Sequence, residues 1–370
     1  MRIGIDAREA FTGRGISKYI SGLLGEYRKQ GAGNIFYLFT NNYHPPESCE
    51  SFKWNERFTT YRTIWEQFHI PLEIINNSLD VFHCPANMGV PVSAAAPVIT
   101  TIHDIIPLVL PDIYKNLIPF NQYEKLLSNA VRHSEAVITG SEFSKNDIMK
   151  WTGLSGDKIH VIFDGIDPVF LEPRDPRLTE ALKIRHSIEG PYILYSGGID
   201  PRKNIPFMLD AFRIIEEKHG KGLKFVITGG RKELGDLIGE NTVHSLSETG
   251  KYIFTGHVTD AELAHLCSGA LALFYPTLYE GFGLPLLEAF ASGTPAAAGK
   301  VSSLPEIGRD AVHYIDIEDP EKSAEMLCEL LENTGLREKL VKRGKQLSEL
   351  YTWDKTAAQT LRIYEDVKAR

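Results

Sequence analysis

With 370 residues, 43% hydrophobic and 24% charged, the chain has an ordinary globular composition and exceeds what one hydrophobic core usually supports, so two α/β domains of similar size are expected. A formal net charge of -8 provides no basic footprint for a phosphate backbone and argues against nucleic acid as a partner. Cys49, Cys84, Cys267 and Cys328 lie far apart without a CxxC pair, which signals neither a zinc site nor a disulfide framework and fits a reducing cytoplasm.

Met1-Arg2-Ile3-Gly4-Ile5-Asp6 runs directly into a strand-like segment, without the basic region, long apolar region and cleavage site of a signal peptide. Strands are expected over 2–5, 35–40, 81–83, 98–102, 136–139 and 159–162, with helix-compatible segments between most of them, the pattern of βαβ units and a parallel sheet. After the first strand comes Phe11-Thr12-Gly13-Arg14-Gly15-Ile16-Ser17-Lys18-Tyr19, whose Gly13 and Gly15 allow backbone amides to approach a phosphate. It is not the dinucleotide fingerprint: Lys18 stands where the third glycine is needed, and several residues separate the loop from the strand. Thr100-Thr101-Ile102-His103-Asp104 ends a strand in a histidine and an acid. His103 can hydrogen-bond a sugar there, although a lone histidine at a strand end more often serves as a structural hydrogen-bonder. His83, within Phe82-His83-Cys84-Pro85, reads as structural.

Two prolines and four charges in 170–177 exclude a strand or helix interior and mark a linker, dividing the chain into domains 1–171 and 172–352. The last helix, 353–370, is long enough to pack back on the first domain. Further strands over 192–195, 225–227, 252–254, 270–275 and 295–298 form a second doubly wound sheet. Open α/β sheets bind ligands at the carboxyl ends of their strands, so two facing sheets imply an active-site cleft between the domains. No stretch approaches the roughly 18 apolar residues of a spanning helix, which leaves a membrane-bound acceptor reachable only from the surface.

Two segments of the second half carry chemistry. Tyr195-Ser196-Gly197-Gly198-Ile199-Asp200-Pro201-Arg202-Lys203-Asn204 places adjacent cations after a strand, where Arg202 and Lys203 can neutralise a leaving diphosphate without a metal; the alternative is a solvated turn before a helix near Pro206. Glu280-Gly281-Phe282-Gly283-Leu284-Pro285-Leu286-Leu287-Glu288 follows another strand and enters an apolar helix in which Pro285 suits the first turn. Amides at that helix start favour a diphosphate, and two carboxylates bracketing it can accept from sugar hydroxyls, with Glu280 on the loop and Glu288 in the first turn. Glu288 reads alternatively as a complement to the helix dipole. The sequence has no Asp-x-Asp pair, Walker loop, Gly-x-Ser-x-Gly elbow or His-Glu-x-x-His, so metal-assisted transfer, ATP hydrolysis and serine or zinc hydrolysis lack their usual parts.

Taken together these segments resemble the retaining glycosyltransferase family 4, of GT-B fold, in its mannosyltransferase-like subset. Glu280 and Glu288 match its E-x7-E signature around an intact Glu-Gly-Phe-Gly-Leu-Pro core. Ser141-Glu142-Phe143-Ser144, Asp164-Gly165-Ile166-Asp167, Phe254-Thr255-Gly256 and Ser302-Ser303-Leu304-Pro305-Glu306 follow in the family's order. By that resemblance Glu280 and the backbone of Gly281, Phe282, Gly283 and Leu284 contact the donor sugar, Glu288 holds the ribose hydroxyls, Lys203 contacts the diphosphate, and His103 lies near the sugar. Gly198 stands where many members carry an arginine, a place Arg202 can fill. The resemblance implies a nucleotide-diphosphate sugar as substrate, GDP-mannose before a UDP-hexose. It implies no cofactor or metal, and same-face transfer to a saccharide or lipid-linked acceptor. A cytoplasmic enzyme with peripheral contact at the inner membrane face is expected, through the basic helix 337–345 or, if that face is merely solvated, without it. A GT-B epimerase, a phosphorylase and a non-catalytic nucleotide-sugar binder remain as alternatives.

Overall fold

A computed structural model describes residues 1–10, 15–30, 33–40, 52–56, 61–87, 89–114, 120–219 and 222–370. The chain divides into two compact units, Met1–Gly165 with Thr352–Arg370, and Ile166–Tyr351. In the first, strands β1 (Arg2–Asp6), β2 (Ile35–Thr40), β3 (Phe52–Glu56), β4 (Val81–Cys84), β5 (Val98–Thr101), β6 (Ala136–Thr139) and β7 (Ile159–Val161) form a parallel sheet ordered β3-β2-β1-β4-β5-β6-β7. The sequence reading missed β3 and, in the second unit, the strand Val312–Ile315. Phe52-Lys53-Trp54-Asn55-Glu56 is polar enough to hide its period, as edge strands commonly are.

The second unit holds β8 (Tyr192–Tyr195), β9 (Lys224–Thr228), β10 (Tyr252–Gly256), β11 (Ala272–Tyr275), β12 (Ala296–Gly299) and β13 (Val312–Ile315), all parallel in the order β10-β9-β8-β11-β12-β13. Tyr192–Tyr195 and Ala272–Tyr275 are buried throughout, so the central strands read as unbroken apolar runs. Strand β12 is Ala296-Ala297-Ala298-Gly299, a poor strand former alone, paired on both sides by β11 and β13. Each sheet reverses strand order once, at β1/β4 and at β8/β11, and such switch points open crevices beyond the carboxyl ends of their strands.

The expected boundary at 171/172 moves to Gly165/Ile166. Phe170 is fully buried in the second unit's core, within the 3-10 turn Pro168–Phe170, and the prolines of 170–177 lead into a helix, Pro176–Arg185, capped by Asp175. The hydrophobic contact of Phe170 outweighs the linker-like composition around it. The helix Trp353–Lys368 packs within the first unit, its Trp353, Ile363, Tyr364 and Val367 sharing a core with Ile3, Ile5, Tyr19 and Tyr27. Gly22 lies where any side chain would collide with the Trp353 ring, so a glycine admits the helix.

Candidate functional site

Strands β8 and β11 flank the switch point of the second unit, and the loops that follow them carry both segments singled out above. Asp200 caps a 3-10 turn, Pro201–Lys203, by accepting from the Arg202 N–H at 3.0 Å, and Asn204, at φ 61°, closes it. The turn is then stitched to the β11 loop: the Leu278 N–H donates to the Arg202 carbonyl at 2.8 Å, and the Asn204 amide to the Pro276 carbonyl at 3.3 Å. That stitching brings Arg202 and Lys203 onto Glu280.

One oxygen, Glu280 Oε1, accepts four hydrogen bonds: from Lys203 Nζ at 2.6 Å, Arg202 Nη1 at 2.6 Å, Tyr275 Oη at 2.8 Å and Thr277 Oγ1 at 3.0 Å. Lys203 also donates to Tyr275 Oη at 2.6 Å, and Arg202 Nη1 to the Tyr279 carbonyl at 2.9 Å. Burial by itself would raise the Glu280 carboxyl, but Arg202 and Lys203 hold it down to about 2. For Lys203 burial prevails over the attraction of Glu280 and lowers the ammonium to about 8. The solvated-turn reading of Arg202-Lys203 is therefore overturned, since Lys203 is a buried cation in a charge-assisted cluster. Sequence reasoning passed over Tyr275 and Thr277. Their signal was position alone, at and just beyond the end of β11.

The glycine loop 280–283 is pinned from behind by Ser302 and Ser303. The Glu280 N–H donates to Ser302 Oγ at 2.9 Å, and Ser303 Oγ, fully buried, shares its proton between the carbonyls of Glu280 at 3.0 Å and Phe282 at 2.7 Å. In a planar trans peptide the N–H lies opposite the C=O, so drawing both carbonyls to Ser303 turns the amides of Gly281 and Gly283 to the other side. Ser302 adopts φ 49°, a left-handed conformation uncommon outside glycine, held by this network. Phe282 contributes its backbone only, because its ring packs into the core 5.9 Å from that of Tyr351.

Gly283, at φ 115°, ends the loop and starts the helix Leu284–Ala291 with Pro285 in its first turn. Glu288 is the fifth residue of that helix, which corrects its expected place in the first turn; it is buried in the second turn, out of the position for complementing a helix N-terminus. Of the other expected site residues, Gly15 opens the helix Gly15–Gln30 and Gly13 lies outside the described residues.

His103 belongs to the first unit, just past β5. Its Nε2 is 3.1 Å from the Pro85 carbonyl, which can only accept, so Nε2 carries the proton and Nδ1 is an acceptor. Burial lowers the ring to about 4, against the raising effect of that carbonyl, and keeps it neutral. Asn87 clasps its backbone, accepting from the His103 N–H at 2.8 Å and donating to the Asp104 carbonyl at 3.0 Å. His83 is structural, as read: fully buried, with Nε2 2.8 Å from Thr101 Oγ1 and Nδ1 2.6 Å from Tyr364 Oη.

Two family models match the chain, Glycosyltransferase Family 4 over residues 13–170 and Glycosyl transferases group 1 over 179–347. O-antigen chain mannosyltransferase B of Escherichia coli is 28% identical over 270 residues, 72% of this chain and 70% of that protein. MMP alpha-(1->4)-mannosyltransferase of Mycolicibacterium hassiacum is 28% identical over 255 residues, 67% of this chain but 58% of that protein. Among solved structures, sucrose-phosphate synthase from Thermosynechococcus elongatus superposes with a TM-score of 0.78 at 17% identity, over 100% of this chain and 99% of that one, a likeness of fold. With two Rossmann-like units, the E-x7-E pair on the β11 loop and helix, and both models accounting for nearly the whole chain, this protein belongs to the family 4 glycosyltransferases of GT-B fold.

Proposed function

We propose that this glycosyltransferase moves mannose from GDP-mannose to a saccharide or lipid-linked acceptor, with retention of anomeric configuration and without a metal. The observation that carries the reading is the single carboxylate oxygen holding two cations at the β8/β11 switch point. Lys203 and Arg202 face an anion already, and a donor diphosphate supplies a second. Mannose is favoured over other hexoses by the two relatives named as mannosyltransferases.

In the transfer, the acceptor oxygen bonds to the anomeric carbon as the bond from that carbon to the diphosphate oxygen breaks on the same face. The departing phosphate oxygen takes the acceptor proton. Lys203 and Arg202 stabilise the charge that develops on the leaving group. As cations turn toward the diphosphate, Glu280 is released to accept from sugar hydroxyls, and the Gly281 and Gly283 amides are presented by Ser303. Glu288 holds the ribose. Neutral His103 accepts a sugar hydroxyl at Nδ1 rather than moving a proton.

The test is a thermal-shift panel of GDP, UDP, ADP and their sugar conjugates with Glu288→Ala as control, followed by NMR of the product's anomeric configuration. Stabilisation by GDP and GDP-mannose, lost in Glu288→Ala, and a retained configuration are expected. A preference for UDP would transfer the donor to a UDP-hexose. Inverted product, or nucleotide-sugar interconversion without acceptor, would overturn the mechanism.

A further inference from the structure

Residues 62–76 form one continuous helical stretch: Arg62–Ile64, a π-helical turn Trp65–His69, in which the Ile70 N–H reaches the Trp65 carbonyl, and Ile70–Asn76. Its inward side chains Trp65, Ile70 and Ile74 pack with Tyr37, Phe39, Leu79 and Phe82 against the first sheet. A surface helix then normally turns polar residues outward. This one does the reverse. Ile64, Phe68, Leu72 and Ile75, spaced four, four and three apart on one row, are 48%, 65%, 58% and 60% exposed, while Glu66 and Glu73 are only 5% and 6% exposed. Glu66 is held by Arg62 Nε at 2.5 Å and Arg8 Nη2 at 3.3 Å, and Glu73 accepts from the Asn77 amide at 3.0 Å. Among the described residues of 61–76, every exposed side chain is neutral or is Arg62.

We propose that the apolar row Ile64, Phe68, Leu72 and Ile75 rests on an anionic lipid surface, inserted at headgroup depth with the helix lying in the interfacial plane. The charge around the row fits that occupant. Besides Arg62, the exposed Arg2 and Lys53 each stand 5.3 Å from the centroid of the Tyr37 ring, which packs in the same cluster as Ile70 and Ile74 beneath the row. In a chain of net charge -8, an apolar row whose own acids are turned inward, with Arg62 at its start and Arg2 and Lys53 over the Tyr37 ring of the cluster it packs on, matches interfacial helices that combine apolar insertion with attraction to anionic headgroups. A second copy of the chain is a poorer fit, because a row of four side chains one helix wide falls short of the roughly 800 Å² per partner of a standard interface. The contact is peripheral: among the described residues no helix is long and apolar enough to cross a membrane. The basic helix expected to serve this purpose, within Thr334–Ser348, exposes no large apolar side chain.

The inference is independent of the donor reading, and its test uses the full chain without nucleotide. Flotation is measured with vesicles of phosphatidylcholine alone and of equal parts phosphatidylcholine and phosphatidylglycerol. The wild type is expected to float with the phosphatidylglycerol vesicles, and the double variant Phe68→Ser/Leu72→Ser to bind them about tenfold less, with an unchanged melting temperature because both side chains are exposed. Arg2→Gln/Lys53→Gln should weaken only the phosphatidylglycerol binding. Equal flotation of wild type and Phe68→Ser/Leu72→Ser, or none by the wild type, overturns the proposal. So does a wild-type dimer in solution that this variant dissociates, which would assign the row to a second copy. Donor-induced thermal shifts in the same preparations report separately on the transferase reading.

Discussion

Two clusters, one in each unit, answer the same problem, polar chemistry at the buried end of a parallel sheet, in opposite ways. In the second unit charge is kept and matched, with Lys203 and Arg202 on one oxygen of Glu280. Around Tyr19 in the first unit charge is suppressed: burial lowers His83 to about 3 and His103 to about 4, and raises Asp164 to about 7. His83 serves there as a neutral link in a hydrogen-bonded chain from Tyr364 to Thr101 and Tyr19. The difference separates a cluster in which two cations share one buried carboxylate oxygen from one in which buried titratable groups are held neutral.

The largest break in that contrast is Glu280→Ala, which leaves Lys203 and Arg202 facing each other without an anion. A loss of about 3–5 kcal/mol in urea unfolding is expected, with part recovered on adding pyrophosphate. If stability is unchanged, the cluster is not an energetic unit. Next comes Lys203→Met, expected to reduce kcat by about 10²–10³ as one stabiliser of leaving-group charge is removed. In the wild type the same lysine, lowered to about 8, loses its proton as pH rises, so kcat/KM for the donor should fall above about pH 8. A profile flat to pH 10 would show that Lys203 keeps its charge.

Ser303→Ala tests whether the loop behind Glu280 is organised by one hydroxyl. Two buried carbonyls lose their donor, at a cost of about 1–3 kcal/mol, and kcat should fall more than KM rises, because the Gly281 and Gly283 amides lose their aim. Asp164→Asn is the smallest and sharpens the first unit's side of the comparison. The folded carboxyl is raised above its unfolded value, so the folded state holds the extra proton between about pH 4 and 7 and stability declines as pH rises through that window. Asparagine abolishes the decline, making the variant more stable at pH 8 by on the order of 1 kcal/mol or more. A parallel pH dependence in both proteins would remove Asp164 from the account.

Much of this was readable along the chain because it is local. The apolar runs of β1, β5, β8 and β11, the proline and glycine at the start of Leu284–Ala291, and the order of the family segments depend on neighbours within a few residues. Even so, Glu288 moved from the first helical turn to the second, because Gly283 at φ 115° sets the start one residue before Pro285. Strand β3 escaped because an edge strand need not be apolar, and the unit boundary moved because Phe170 has a core to enter.

Only tertiary structure could decide what the long-range contacts decide. Lys203 and Glu280 are 77 residues apart, and nothing in either segment says that one carboxylate oxygen would bind both cations, or that Tyr275 and Thr277 would complete the set. Nor could composition tell that Glu66 and Glu73 turn inward while Phe68 and Leu72 turn out, since that depends on Arg8 and Asn77 meeting them. Sequence periodicity determines which face can be buried. The partners available in the fold determine which polar groups can be buried with it, because a charge leaves water only where another element supplies its counter-charge or hydrogen bonds.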